Sequence, residues 1–265
     1  MGVVNVTPDS FSDGGEWFEP EAAIGHGREL LAAGADLLDI GGESTRPGAE
    51  RPSVEEELRR VLPVVRELAS AGAVVSIDTM RAEVAGAALD AGASLVNDVS
   101  GGLADDDMAG VVADAGAPFV VMHWRGHSAD MQSRAIYADV VTEVCAELLE
   151  RLDALQDKGI RGENLVVDPG FGFAKTAAHN WSLLRRLDEV LALGHPVLVG
   201  TSRKTFLGRL GLAEGADPHP PTERDLATAV TSFHAARHGA WAVRVHDVAS
   251  TMRALDVADA LGGAR

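Results

Sequence analysis

The chain has 265 residues, 46% hydrophobic but only 5% aromatic, with 40 acidic side chains against 23 basic and a formal net charge of −17. That length suits one large α/β domain of about 250 residues. A surface this acidic repels nucleic acid and anionic membranes, so an anionic ligand must be drawn by a local cluster of cations.

Gly2–Val6 reads as a strand. The opening residues carry no basic leader region, and Val6 stands where a myristoylation signal needs Ser or Thr. A loop rich in Pro, Asp, Ser and Gly follows, then a helix from about Pro20 to Ala33. Leu37–Ile40 is the second strand. The next helix opens on a capping box, Ser53 with Glu56, and carries Leu58, Val61, Leu62, Val65 and Leu68 on one face; Pro63 inside it predicts a kink. Val74–Ile77, Ser94–Val96 and Phe119–Met122 are the third to fifth strands. A long helix follows with Val141, Val144, Leu148, Leu152 and Leu155 on its buried side. Cys145 shares that stripe and is predicted to be a buried small hydrophobe; as the only cysteine it excludes an intrachain disulfide and fits a cytoplasmic protein. Leu165–Val167 is the sixth strand, before a helix with Trp181, Leu184, Leu187 and Leu191. Pro196–Val199 is the seventh. Helical stretches from about Arg203 to Leu210 and Arg224 to His238 lead to the eighth, Val243–Val245, and a last helix toward Leu261. No run approaches the roughly 18 apolar residues of a membrane span.

Eight βα units predict a single-domain (β/α)8 TIM barrel over residues 1–265, with an open doubly wound sheet as runner-up; no G-x-G-x-x-G or Walker A motif supports the latter. In such a barrel the C-terminal strand ends line the active site. Here they offer Asn5, Asp39, Asp78, Asn97, His123, Asp168, Ser202 with Lys204, and Arg244 with His246. Asp39 and Ser202 also fit plain helix caps. The carboxylates Asp78 and Asp168 suit the N–H edge of a flat, nitrogen-rich heterocycle such as a pterin, and Asn97 can donate and accept. Lys204, Arg244 and His246 suit a phosphate or pyrophosphate, and Asn5 offers oxygen to Mg²⁺. His123 and His127 have metal-ligand spacing but no third ligand, so a structural role is expected for both.

Several segments resemble the signatures of dihydropteroate synthases. Met1–Gly15 (MGVVNVTPDSFSDGG) is similar to the first and Gly41–Gly48 (GGESTRPG) to the second. Ser76–Thr79, Val96–Gly101, Asp168–Phe173, Ser202–Lys204 and Arg244–Asp247 follow in order, so the resemblance spans the chain. Met122–Arg125 and Phe173–Thr176 resemble the actinobacterial branch. The resemblance implies a pterin-binding TIM barrel that joins a dihydropterin pyrophosphate to p-aminobenzoate, with Mg²⁺ near Asn5 and a homodimer through the late helices. It implies that Asp78, Asn97, Met122, Asp168, Phe173 and Lys204 hold the pterin. Asn5, Thr45, Arg244 and His246 would hold the pyrophosphate, and Phe11, Thr45, Arg46, Pro47, Phe173 and Thr205 the p-aminobenzoate. The catalytic groups would be Asp13, Lys204, Arg244 and His246, Asp13 steadying positive charge on the pterin methylene. The chain retains the whole motif set, which argues against a non-catalytic pterin-binding paralogue. Its cations and loop signatures argue against a methyltransferase that handles methyltetrahydrofolate.

Overall fold

The computed structural model describes residues 1–7, 20–43, 51–126, 134–213 and 215–262. Strands and helices alternate: β1 (Gly2–Asn5), α1 (Pro20–Ala32), β2 (Leu37–Gly41), α2 (Val54–Ser70), β3 (Val74–Asp78), α3 (Ala82–Asp90), β4 (Leu95–Asp98), α4 (Met108–Ala115), β5 (Phe119–Met122), α5 (Val140–Asp157), β6 (Leu165–Asp168), α6 (Ala177–Arg185), α7 (Leu187–Leu191), β7 (Leu198–Val199), α8 (Asp225–His238), β8 (Ala242–Val243) and α9 (Val248–Ala260). β1 to β6 form one parallel sheet in chain order, and β7 pairs with β8. Parallel bridges Val167↔Val197 and Gly2↔Val245 join the two sheets at both seams, so the eight strands close into a TIM barrel.

Alternation along the strands sorts the side chains into two sets. Val4, Leu38, Ile40, Val75, Ile77, Val96, Phe119, Val121, Leu165 and Val167 belong to the large apolar cluster shared with the helices. The intervening Met1, Leu95, Val120, Val166 and Leu198 form a second, small cluster that fills the barrel's interior. The next inward positions toward the strands' C-terminal ends are mostly polar, with Gly41 and Met122 among them. Register sets Asn5 beside Gly41, Gly41 beside Asp78, Asp78 beside Asn97, and Met122 beside Asp168. An apolar plug therefore floors a polar mouth.

The predicted strands are all present. The helices differ more. α3 and α4 are absent from the sequence-based reading, because Ala82–Asp90 and Met108–Ala115 are short and alanine-rich and bury few large side chains. The predicted helix from Arg203 to Leu210 is only a 3₁₀ turn at Leu207–Arg209, since Arg203 is held left-handed at φ 58°. α2 runs unbroken from Val54 to Ser70 with Pro63 inside it. Its capping box is half made: Ser53 accepts from the Glu56 N–H at 3.2 Å, while the Glu56 carboxylate binds Arg59 and Arg60. Cys145 is half-buried rather than buried, packed against the edge of the core.

After β6 the chain must turn sharply beneath its own active-site rim. Gly170 adopts φ 71°, and a Cβ there would meet the His123 carbonyl oxygen at 2.6 Å. Gly170→Ala combines a left-handed backbone with a clash against main chain, so a loss of at least about 2 kcal/mol is expected. A lower denaturant midpoint with unchanged slope is the expected measurement.

Candidate active site

The mouth is organised around Arg244. Its Nε donates to Asp39 Oδ2 at 2.5 Å and its Nη2 to Asp78 Oδ2 at 2.7 Å. The same Asp39 oxygen accepts from Asn97 Nδ2 at 2.9 Å. Asp39 is fully buried, and its Oδ1 has no hydrogen-bond partner among the described residues. An aspartate in the middle of β2, inside the barrel, is no helix cap. That location was the sequence signal for a buried partner, because a buried carboxylate needs a cation.

One guanidinium between two carboxylates leaves a surplus negative charge. Burial pushes Asp78 up to about 7 despite Arg244, and Asp39, Asp98 and Glu57 add repulsion. Burial disfavours the charge on Arg244, yet Asp39 and Asp78 together hold its pKa above the ordinary value. Asp168, also buried, is raised by desolvation against the Gly170 N–H, which donates to its Oδ1 at 2.7 Å, and the nearby Lys204 and Lys175. Lys204 is pushed down to about 8 by burial and by Arg244, with Asp168 and Asp78 opposing. Its ammonium sits 3.9 Å from the centroid of the half-buried Phe173 ring, a cation–π contact.

The motif segments divide by function. In Ser202-Arg203-Lys204 only Lys204 faces the carboxylates. Arg203 turns away to a bidentate pair with Asp225 on α8, and Ser202 is hydrogen-bonded to His246 Nδ1 at 2.9 Å while accepting from the His246 N–H at 3.1 Å. Ser202 therefore sets the imidazole, a role the cap reading missed. Asp98 lies beside Asn97 in sequence but on the other face, where it accepts from the N–H groups of Ser100 and Gly102. Met122 is buried next to Asp168, Asn5 is half-buried at the end of β1, and Thr205 is exposed. His123 is buried between Glu147 and Lys175, as a structural histidine would be. Phe11, Asp13, Thr45, Arg46, Pro47 and His127 lie outside the described residues. No cluster of three or more His, Cys, Asp or Glu suited to a metal occurs among the described residues. A magnesium ion that leans on phosphate oxygens and water needs only a ligand such as the Asn5 amide oxygen, so the donor set is compatible with one.

The family model described as pterin binding enzyme matches residues 1–246. A dihydropteroate synthase of Mycobacterium leprae is 54% identical over 98% of this chain and 92% of its own length. Among solved structures, Xanthomonas albilineans dihydropteroate synthase with 4-aminobenzoic acid superposes at a TM-score of 0.91 with 46% identity, covering 100% of this chain and 93% of that one. The same enzyme in complex with 7,8-dihydropteroate gives 0.88 and 43%, over 100% and 94%. The fold and mouth are those of a pterin-binding barrel enzyme. Within that class, the chain belongs to the dihydropteroate synthase family.

The raised Asp78 gives a pH signature. Its unfolded carboxyl ionises near 3.8 and its folded one near 7. The folded state therefore binds the extra proton between those values, and the stability Asp78 contributes is full below about 4 and lost as pH rises through 7. Wild type is expected to lose stability relative to Asp78→Asn between pH 4.5 and 7.5 in paired denaturant titrations. Parallel profiles would show that Asp78 is not the group.

Proposed function

We propose that the chain condenses 6-hydroxymethyl-7,8-dihydropterin pyrophosphate with p-aminobenzoate, giving 7,8-dihydropteroate and pyrophosphate in folate biosynthesis. The observation that carries this reading is the set of acceptors Asp78, Asn97 and Asp168 gathered with Lys204 and Arg244 in one mouth.

Each group has a task in the reaction. Asp168 accepts from the pterin N–H edge with the oxygen that Gly170 leaves free. Asp78 and Asn97 take the neighbouring N–H groups, and Met122, Phe173 and Lys204 complete the ring pocket. A pterin on Asp78 releases Arg244 Nη2, which turns to the pyrophosphate with His246 and Thr45. The bond from methylene carbon to pyrophosphate oxygen breaks, and its electron pair leaves with the pyrophosphate. The electron-rich dihydropterin spreads the positive charge, with Asp13 beside it. The p-aminobenzoate nitrogen, bound by Phe11, Thr45, Arg46, Pro47, Phe173 and Thr205, forms the new C–N bond and loses a proton to water. Asn5 would hold Mg²⁺, which when bound would supply charge neutralisation to the pyrophosphate. No strong base is needed, because an aniline nitrogen is neutral at pH 7.

Residues 1–265 are read as one barrel domain, working in the cytoplasm. A homodimer through the late helices fits the exposure of Leu226 and Val230 on α8, of Val257 on α9 and of Leu261 just after it. Incubation with the two substrates and Mg²⁺ tests the reaction, with dihydropteroate as the expected product; its absence from folded protein overturns the reading. Asp168→Asn sets a donor against donors and is expected to lose about 2–5 kcal/mol of pterin binding. In calorimetric titrations, Arg244→Ala and His246→Ala are expected to weaken pyrophosphate far more than an uncharged pterin. Equal losses would place those side chains elsewhere.

A further inference from the structure

Beneath the mouth lies a charged chain that the reaction does not use. Lys175 is only 4% exposed. Its Nζ lies 3.0 Å from His123 Nδ1 and donates to the Phe173 carbonyl at 3.1 Å. Burial, with the Lys175 charge adding, lowers His123 to about 4, so its ring is neutral. Nδ1 then accepts from the Lys175 amine, and Nε2–H donates to Glu147 Oε2 at 2.9 Å. Glu147 also holds Arg125, which stacks 3.9 Å from the Tyr137 ring centroid. Tyr137 donates its hydroxyl to the Ala174 carbonyl at 3.0 Å.

Both ends of this chain grip the same short segment. Ala174, between the two gripped carbonyls, is one of two non-glycine residues with positive φ among the described residues, at 47°. A left-handed alanine is held by its surroundings, not by its own preference. The segment also abuts the pterin lysine: Gly172 has φ 78°, and a Cβ there would meet Lys204 Cδ at 2.7 Å. Burial pushes the Lys175 amine down to about 7, with Asp168 opposing, and the hydrogen bonds that hold it are to His123 and to main chain.

We propose that Lys175 is a positioning residue whose amine, seated on His123, fixes the Phe173 backbone and so holds the Phe173 ring over Lys204. This rests on the pterin-site reading above. Lys175→Met keeps the length and the apolar stem but removes the N–H donors. Its affinity for 6-hydroxymethylpterin, read by calorimetry, is expected to fall on the order of tenfold, within the range that small misplacements of a site produce. In turnover the loss is expected in KM more than in kcat. Because Lys175 acts through Phe173, the Lys175→Met, Phe173→Ala double variant should bind no more weakly than Phe173→Ala alone. Lys175→Gln, which keeps N–H donors, should recover part of the affinity and replaces Lys175→Met in the cycle if that variant does not fold. Unchanged affinity, or losses that add in the double variant, overturns the proposal. Failure of the wild-type protein to make dihydropteroate would instead count against the reaction, since the pterin titration does not depend on turnover.

Discussion

Arg244 stands inside the barrel, where a guanidinium cannot be solvated as it is in water. Its partners come from β2 and β3, 205 and 166 residues earlier in the chain. They reach it only if the seam between β8 and β1 closes, which the Val3 and Val245 amide hydrogen bonds and the Gly2↔Val245 bridge accomplish. Closure of the fold and assembly of the site are thus one event. Breaking one partner of such a cluster is expected to cost about 3–5 kcal/mol, because the survivor is left buried and charged. Asn97 joins the cluster through Asp39, so the amide proposed to meet the pterin is oriented by the carboxylate that anchors Arg244.

The sequence revealed the strands and most of the mouth for one reason. Buried parallel strands are short apolar runs, and a polar residue at the end of each stands out against them. Asn5, Asp78, Asn97, Asp168, Lys204 and Arg244 were all legible in that way. Asp39 was seen but underweighted, because an aspartate near a strand end is more often a cap; its partner lay at the far end of the chain. Ser202 carries the same two readings, mouth and cap, and its partner His246 lies 44 residues further on. Lys175 gave no local sign at all. Its neighbour Ala174 looks helix-compatible, and its partner His123 lies 52 residues earlier, held in turn by Glu147 on α5. The short helices α3 and α4 were missed because alanine-rich segments carry little periodic contrast.

The β6–α6 turn shows how the fold concentrates strain where the site needs reach. Gly170, Gly172 and Ala174 all have positive φ within five residues. Two glycines let main chain approach His123 and Lys204 closely, while the alanine is locked by Tyr137 and Lys175 on either side. Turns of this kind persist only when the surroundings over-determine them. Here the surroundings are the outer polar chain of Glu147, Arg125 and neutral His123, which contacts no substrate in the reaction as read and yet borders the ring pocket.

The charge pattern also bears on ligand choice. The chain carries −17 overall, and among the described residues the mouth's cations stand against carboxylates. Arg244 is already paired with Asp39 and Asp78, and Lys204 feels Asp168 and Asp78 as opposing charges. A free anion that drew Arg244 away would strand Asp78 as a buried carboxylate without a partner. A heterocycle that took Asp78 alone would leave part of the guanidinium unpaired. Only a ligand that brings N–H donors and an anion together satisfies both halves of the exchange. Buried polar networks reward complete satisfaction and penalise partial satisfaction, so on the proposed reading selectivity for a pterin joined to its pyrophosphate arises in part from the pairing of Arg244 with Asp39 and Asp78.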